Sequence, residues 1–183
     1  AAAPQGVAAD AFNGAAWIRD PVFKGVPIVE VFHREKSPKP ALAGPKNVHT
    51  LFRKDIELRD KPVKAVLTIS GDDYYKFYVN GDFVAQGPEG GYPTAYPYYW
   101  LEIATFLDAG PNCLAAHVFY QGLYNRVWVS GDNRSGFIMT LDVTYPGGAQ
   151  ERFSTDALWR CHTLESFSGE ETIGYQTQFL EHI

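Results

Sequence analysis

From Leu51 onward, apolar and polar residues alternate with a period of two through most of the chain. In Phe52-Arg53-Lys54-Asp55-Ile56-Glu57-Leu58, the apolar Phe52, Ile56 and Leu58 fall on one face of an extended segment. Val63, Ala65, Leu67 and Ile69 then alternate with Lys64, Val66, Thr68 and Ser70, and Tyr75, Phe77 and Val79 with Lys76, Tyr78 and Asn80. Successive side chains of a strand point to opposite faces, so this spacing predicts half-buried strands. Asn80-Gly81 follows at once. That pair predicts a tight hairpin, because a type I′ turn needs positive φ at both central residues, and Phe83-Val84-Ala85 is the returning strand. Leu101 to Leu107 is a short element with room for one helical turn at Ala104 to Leu107. The composition of Asp108-Ala109-Gly110-Pro111-Asn112 closes it as a turn.

Cys113 to Tyr120 is the next predicted strand, with Leu114, Ala116 and Val118 facing inward. The cleanest alternation runs through Phe137, Met139, Leu141, Val143 and Tyr145 and stops at Pro146-Gly147-Gly148. Arg152-Phe153 and Leu158 to Cys161 read as two further short strands. No segment sustains a helical period. About eight short strands with turn signals every ~8–12 residues predict an all-β antiparallel β-sandwich or barrel, and a jelly roll is the preferred form. Residues 1–50 are different. Pro4, Pro21, Pro27, Pro38, Pro40 and Pro45 resist helix interiors and central strands, so this part reads as an irregular arm laid over the domain. One short strand is expected in it, from Pro27 to His33. The resulting organisation is an arm at 1–50, a sandwich module at 51–167 and an exit segment at 168–183 leading toward a downstream domain.

Composition narrows the class of partner. Apolar residues make up 45% of the 183 positions and charged residues 20%, which supports a packed core and argues against disorder. The net charge of −5, with Lys and Arg scattered, lacks the basic footprint of a nucleic-acid partner. No apolar run approaches the ~18 residues of a membrane span. The chain starts at Ala1 rather than Met, as a secreted or periplasmic protein does after leader removal, or as a truncated chain does. Cys113 and Cys161 either pair in an oxidising compartment or remain as buried thiols.

Enzyme signatures are missing: no HExxH, no GxGxxG after a strand, no P-loop and no GxSxG. His33-Arg34-Glu35 has the first half of a zinc-deaminase pattern, but no PCxxC completes it. Asp72-Asp73 and Glu170-Glu171 are paired carboxylates. A glycosidase dyad stands ~5–9.5 Å apart across a cleft, and neighbours on a strand point to opposite faces, so neither pair is a dyad by itself. Asp72-Asp73 reads as a turn between strands, with a calcium or polar-ligand site as the alternative. Two loops carry the richer chemistry. Residues 87–100 set five aromatics among Gly and Pro. Residues 120–136 hold Tyr124, Asn125, Arg126, Trp128, Asp132, Asn133 and Arg134. A sugar shows apolar C–H faces and hydroxyls, which flat aromatics with neighbouring Asp, Asn and Arg can match. Trp128 or Tyr124 would lie under the ring, with Asp132, Asn133 and Arg134 on the hydroxyls. Equally, the aromatics could cover the sandwich ends or pack on another domain.

Several of these stretches resemble a known family. Leu51 to Leu58, Val63 to Gly71, and Tyr74-Tyr75-Lys76-Phe77-Tyr78-Val79-Asn80-Gly81 are similar to the N-terminal β-sandwich domain of bacterial α-L-rhamnosidases. So are Gly110-Pro111-Asn112-Cys113-Leu114-Ala115 and the early Trp17-Ile18. The resemblance covers roughly Trp17 to Phe167. It implies a galactose-binding-like jelly roll, with the catalytic carboxylates downstream in a separate helical toroid of the same polypeptide. The chain is then a non-catalytic accessory module of a secreted glycoside hydrolase, binding a rhamnose-containing glycan or supporting the catalytic domain. The alternative is a purely structural sandwich with no ligand of its own. Some related modules hold rhamnose through Ca²⁺, and Asp132 and Asn133 offer such a ligand pair.

Overall fold

The computed structural model describes residues 11–29, 44–88, 95–122 and 130–167. Among the described residues nine strands form two antiparallel sheets: β1 (Val48–Leu58), β2 (Lys64–Asp72), β3 (Tyr74–Val79), β4 (Asp82–Gly87), β5 (Tyr99–Glu102), β6 (Gly110–Tyr120), β7 (Gly136–Thr144), β8 (Gln150–Ser154) and β9 (Arg160–Thr163). One sheet runs β4-β3-β6-β1-β9 and the other β5-β2-β7-β8. The fold is the expected two-sheet sandwich. Its strands agree with the alternating segments, except that Val63 precedes β2 and that the last strand starts at Arg160 rather than Leu158, and the helical turn appears as a single 3-10 turn at Ala104–Phe106. β1 starts at Val48, before the alternation becomes visible, and β6 starts at Gly110, inside the residues whose composition predicts a turn. Both extensions follow from the long β1–β6 ladder, which pairs Val48 with Tyr120 and Leu58 with Gly110.

The core is what the period of two requires. Phe52, Ile56, Phe77, Val79, Leu114, Ala116 and Val118 from one sheet meet Ala65, Leu67, Ile69, Phe137, Met139, Leu141 and Val143 from the other. The Asn80-Gly81 hairpin has φ of 54° and 93° at its two central residues, as the turn type demands. Asn80 also anchors the neighbouring turn: its Oδ1 accepts from the Cys113 N–H at 2.8 Å and its Nδ2 donates to Asn112 Oδ1 at 2.9 Å.

The N-terminal arm is less loose than its prolines imply. Ile18 forms a bridge with Phe137 at the end of β7. Phe23 is fully buried, with its ring edge-on to Tyr120 at 5.0 Å. Asp20 caps the short 3-10 turn Pro21–Phe23 and holds Thr50 and Thr163. Of the strand expected over Pro27 to His33, Pro27, Ile28 and Val29 lie outside any strand, and the rest is outside the described residues. The two cysteines are free; Cys113 is half-buried and Cys161 exposed, so the expectation of buried thiols is corrected. They flank β1 on opposite sides, opposite Asp55 and Phe52 respectively. Two strand spacings, about 9.6 Å, already exceed the ~7 Å Cα limit of a disulfide.

Candidate functional site

One end of the sandwich gathers most of the polar side chains that have chemistry to offer. Three elements meet there: the β2–β3 bend at Asp73, the residues after β6 from Gln121, and the approach to β7 from Ser130. Gly122 makes the close approach possible: its φ is +70°, and a Cβ there would stand 2.5 Å from the Pro45 carbonyl oxygen.

Asp72 and Asp73 are the centre of this end. Alternation stops at the bend between β2 and β3, in agreement with the turn expected at this pair, and each carboxyl shifts the proton affinity of the other. Tyr96 donates its hydroxyl to Asp72 Oδ2 at 2.6 Å. Asp73 Oδ2 accepts from the Gln121 N–H at 2.7 Å and the Ser130 hydroxyl at 2.6 Å. Burial, followed by the neighbouring Asp73 charge, holds Asp72 well above the ordinary carboxylate range. Burial also raises Asp73, opposed by its donors Asp72, Ser130 and Gln121. Two carboxyls in contact cannot both ionise cheaply, so Asp73, with the better donors, carries the charge and Asp72 the proton. Burial and then Asp72 push Asp132 up to about 6.

The residues singled out from the second loop divide. Tyr124, Asn125, Arg126 and Trp128 lie outside the described residues. Asp132 and Asn133 are buried; Asp132 and both nitrogens of Asn133 are engaged, while Asn133 Oδ1 has no hydrogen-bond partner among the described residues. Asp132 Oδ1 accepts from the Arg134 N–H at 2.8 Å, and its backbone carbonyl accepts from Val29 N–H at 2.9 Å. Asn133 Nδ2 donates to the Pro27 carbonyl, and its N–H donates to the Tyr120 hydroxyl at 2.8 Å. Arg134 keeps about a third of its side chain exposed, with Nε 3.8 Å from Asp132 Oδ2. For calcium, Asp132 is held by Arg134, while Asn133 Oδ1 packs against Gly44. Among the described residues no group of three or more His, Cys, Asp or Glu side chains could hold a metal ion. One participant escaped the sequence reading of the site: Trp17, 44% exposed, lies with its ring 5.1 Å from that of Tyr96. No local pattern signals it, because its partner is remote in sequence. Asp73 was expected as a turn residue, with a calcium or polar-ligand site as the alternative.

A second titratable pair lies on the outer face of the five-stranded sheet. His49 Nδ1 and His117 Nε2 are 2.9 Å apart, and Phe167 stacks on His49 at 3.5 Å. Burial, then His117, lowers His49 to about 3, and burial lowers His117 to about 4. The two sites oppose each other on acidification. Histidines with folded values below 6.5 take protons first in the unfolded state, so the pair costs stability as pH falls below that value. A carboxyl raised to about 6 takes its proton first in the folded state, so Asp132 adds stability over the same fall. Asp132→Asn removes the second effect alone. Relative to wild type, the variant is expected to be about 2 kcal/mol less favourable at pH 4.5 than at pH 7.5, measured by urea unfolding. A difference independent of pH would place Asp132 in ordinary solvent.

The geometry defines the class: a β-sandwich module whose loop end collects carboxyl, hydroxyl and aromatic groups. The family model described as the α-L-rhamnosidase N-terminal domain matches residues 60–176. The chain belongs to that family. Among solved structures it is similar to the GH78 family rhamnosidase of Bacillus sp. GL1, with a TM-score of 0.59 and 24% identity over 84% of this chain. The α-L-rhamnosidase of Aspergillus terreus gives a TM-score of 0.59 and 21% identity over 79%. This chain spans 14% of the first of these proteins and 17% of the second. The apo Pleurotus ostreatus lectin is also similar, with a TM-score of 0.53 and 25% identity over 82% of this chain and 35% of the lectin. No curated protein sequence matches. Among the described residues no helix is long and apolar enough to cross a membrane.

Proposed function

We propose that this chain is the non-catalytic N-terminal module of a secreted α-L-rhamnosidase-like glycoside hydrolase, and that it engages carbohydrate while joined to the catalytic domain of the same polypeptide. The observation that carries the non-catalytic part is the family match, whose model over residues 60–176 describes an N-terminal domain. Asp72 and Asp73 are sequence neighbours with raised proton affinities, not two carboxyls ~5–9.5 Å apart across a cleft. Family membership and the similarity to a lectin support the carbohydrate part. Trp17, Tyr96 and Arg134 gather at one end of the sandwich and offer an aromatic face beside a charged donor. Asp132 and Asn133 serve there as the frame of the loop.

The test is a pair of measurements on the 183-residue chain. An aryl α-L-rhamnoside is expected to stay intact. Calorimetric titration with L-rhamnose is expected to show weak binding that Trp128→Ala removes, because one sugar buries few atoms and ordering a loop costs free energy. Turnover abolished by Asp72→Asn or Asp73→Asn would make the chain an enzyme. The burial of Asp132 and Asn133 favours a second reading, a structural module packed on the catalytic domain. Absence of heat at sugar concentrations on the order of tens of millimolar would select it.

A further inference from the structure

The outer face of the four-stranded sheet is divided in two. The N-terminal segment covers one half: Thr140 Oγ1 donates to the Ala11 carbonyl at 2.7 Å and Ser154 Oγ to the Gly14 carbonyl at 3.2 Å. Beneath it Thr140 and Ile138 are buried although they face away from the core. Among the described residues nothing covers the other half, and its rows follow from the register. Val66 stands between Glu102 on β5 and Asp142 on β7, with Arg152 next on β8. Lys64, Thr144 and Gln150 form the adjoining row. At the β5 edge Trp100 stands opposite Thr68 and remains 44% exposed. Of these, Lys64, Val66, Trp100, Asp142, Thr144, Gln150 and Arg152 line a depression of about 600 Å³.

We propose that this depression is a carbohydrate-binding surface, separate from the loop end, for a neutral glycan that lies across the sheet with one pyranose ring on the Trp100 indole. The proposal rests on the carbohydrate reading above and assigns that reading a second surface. Three observations carry it. The indole is an exposed flat apolar face at the rim of a polar depression, and a pyranose ring presents a matching C–H face. The polar groups are fixed in advance: Arg152 donates to Asp142 through Nε at 2.5 Å and through a terminal nitrogen at 2.8 Å, and its other terminal nitrogen donates to the Asn13 carbonyl at 3.2 Å. A ligand then meets donors and acceptors that lose little freedom on binding. Ionised Asp142 has acceptor capacity beyond the pair, and Thr144 and Gln150 add groups of both kinds beside it. Finally, the lining charges cancel, with Lys64 and Arg152 against Asp142 and Glu151. A phosphate or uronate gains nothing from such a surface, whereas a neutral polyol does. The volume lies in the ~300–1,000 Å³ range of small-molecule sites.

Amide and indole N–H spectra of the 183-residue chain, titrated with rutinose as a neutral rhamnose-containing disaccharide, test the surface. The Trp100 indole and Gln150 amide signals are expected to move. Trp100→Ala is expected to weaken binding about tenfold or more, Gln150→Ala to weaken it less, and Arg134→Gln at the loop end to leave these shifts intact. Far-UV circular dichroism establishes that both β-face variants are folded, and Gln150→Ala carries the test if Trp100→Ala is not. Shifts confined to the Tyr96–Arg134 end, indifferent to Trp100→Ala, overturn this surface and leave carbohydrate binding standing. No shift anywhere overturns both. A response to D-galacturonate equal to that for rutinose overturns the assignment of a neutral ligand.

Discussion

Phe137→Ala is expected to lower the stability of the domain by about 3–5 kcal/mol, among the largest losses available to a single truncation here. Phe137 is fully buried near the start of β7, where both sheets and the N-terminal arm converge. Its ring stacks with Phe52 at 6.1 Å and Phe77 at 6.2 Å across the interior, and Trp159 meets it edge-on at 5.6 Å. Those rings come from three strands and one loop, so the site cannot collapse around an alanine without moving several elements. The cavity therefore persists, and its cost adds to the lost transfer free energy. The backbone of Phe137 also exchanges two hydrogen bonds with Ile18, at 3.0 and 2.9 Å, which a side-chain change leaves in place. For a domain of this size the loss corresponds to a melting point lower by roughly 6–20 °C. Phe83→Ala, on a residue 53% exposed, is the control and should cost well under that. Equal effects at the two positions would mean that the interior is not packed as described.

Asp20→Ala is expected to cost about 2–4 kcal/mol and to free the N-terminal arm. Asp20 is buried, and one carboxyl accepts three donors: the Val22 N–H at 2.8 Å, the Thr50 hydroxyl at 2.8 Å and the Thr163 hydroxyl at 2.6 Å. The residue thus ties the arm to β1 and β9 at one point. Hydrogen bonds to a charged acceptor contribute more than neutral ones, and truncation leaves the buried Thr50 hydroxyl without its acceptor. Asp20→Asn keeps one carbonyl acceptor and is expected to cost about 1 kcal/mol. Urea unfolding measures the stability, and trypsin cleavage after Arg19 or Lys24 measures the release of the arm. Unchanged cleavage in Asp20→Ala would show that Phe23 and the Ile18 bridge hold the arm without it.

By itself the sequence determined the class of fold and most of its strands. A period of two is a local property, and the residues it marks as apolar between Phe52 and Val143 are in the interior, except Val63, which is 64% exposed just before β2. Asn80-Gly81 likewise specified its hairpin, because positive φ is a demand on two residues alone. The motifs of the family were legible for the same reason: they lie within continuous stretches. The site was legible only as two loops rich in aromatic and polar residues. Tertiary structure decided the rest. Alternation says which face of β7 is apolar but not what covers its other face, and there the arm buries Thr140 and Ile138. Pairing of Val48 with Tyr120 extends β1 beyond its apolar pattern, because a ladder depends on a partner far along the chain. The same distance separates Asp72 from Tyr96 and Asp73 from Ser130. A carboxyl's proton affinity is set by the donors and charges within a few ångströms of it, and those neighbours arrive only when the sheets close.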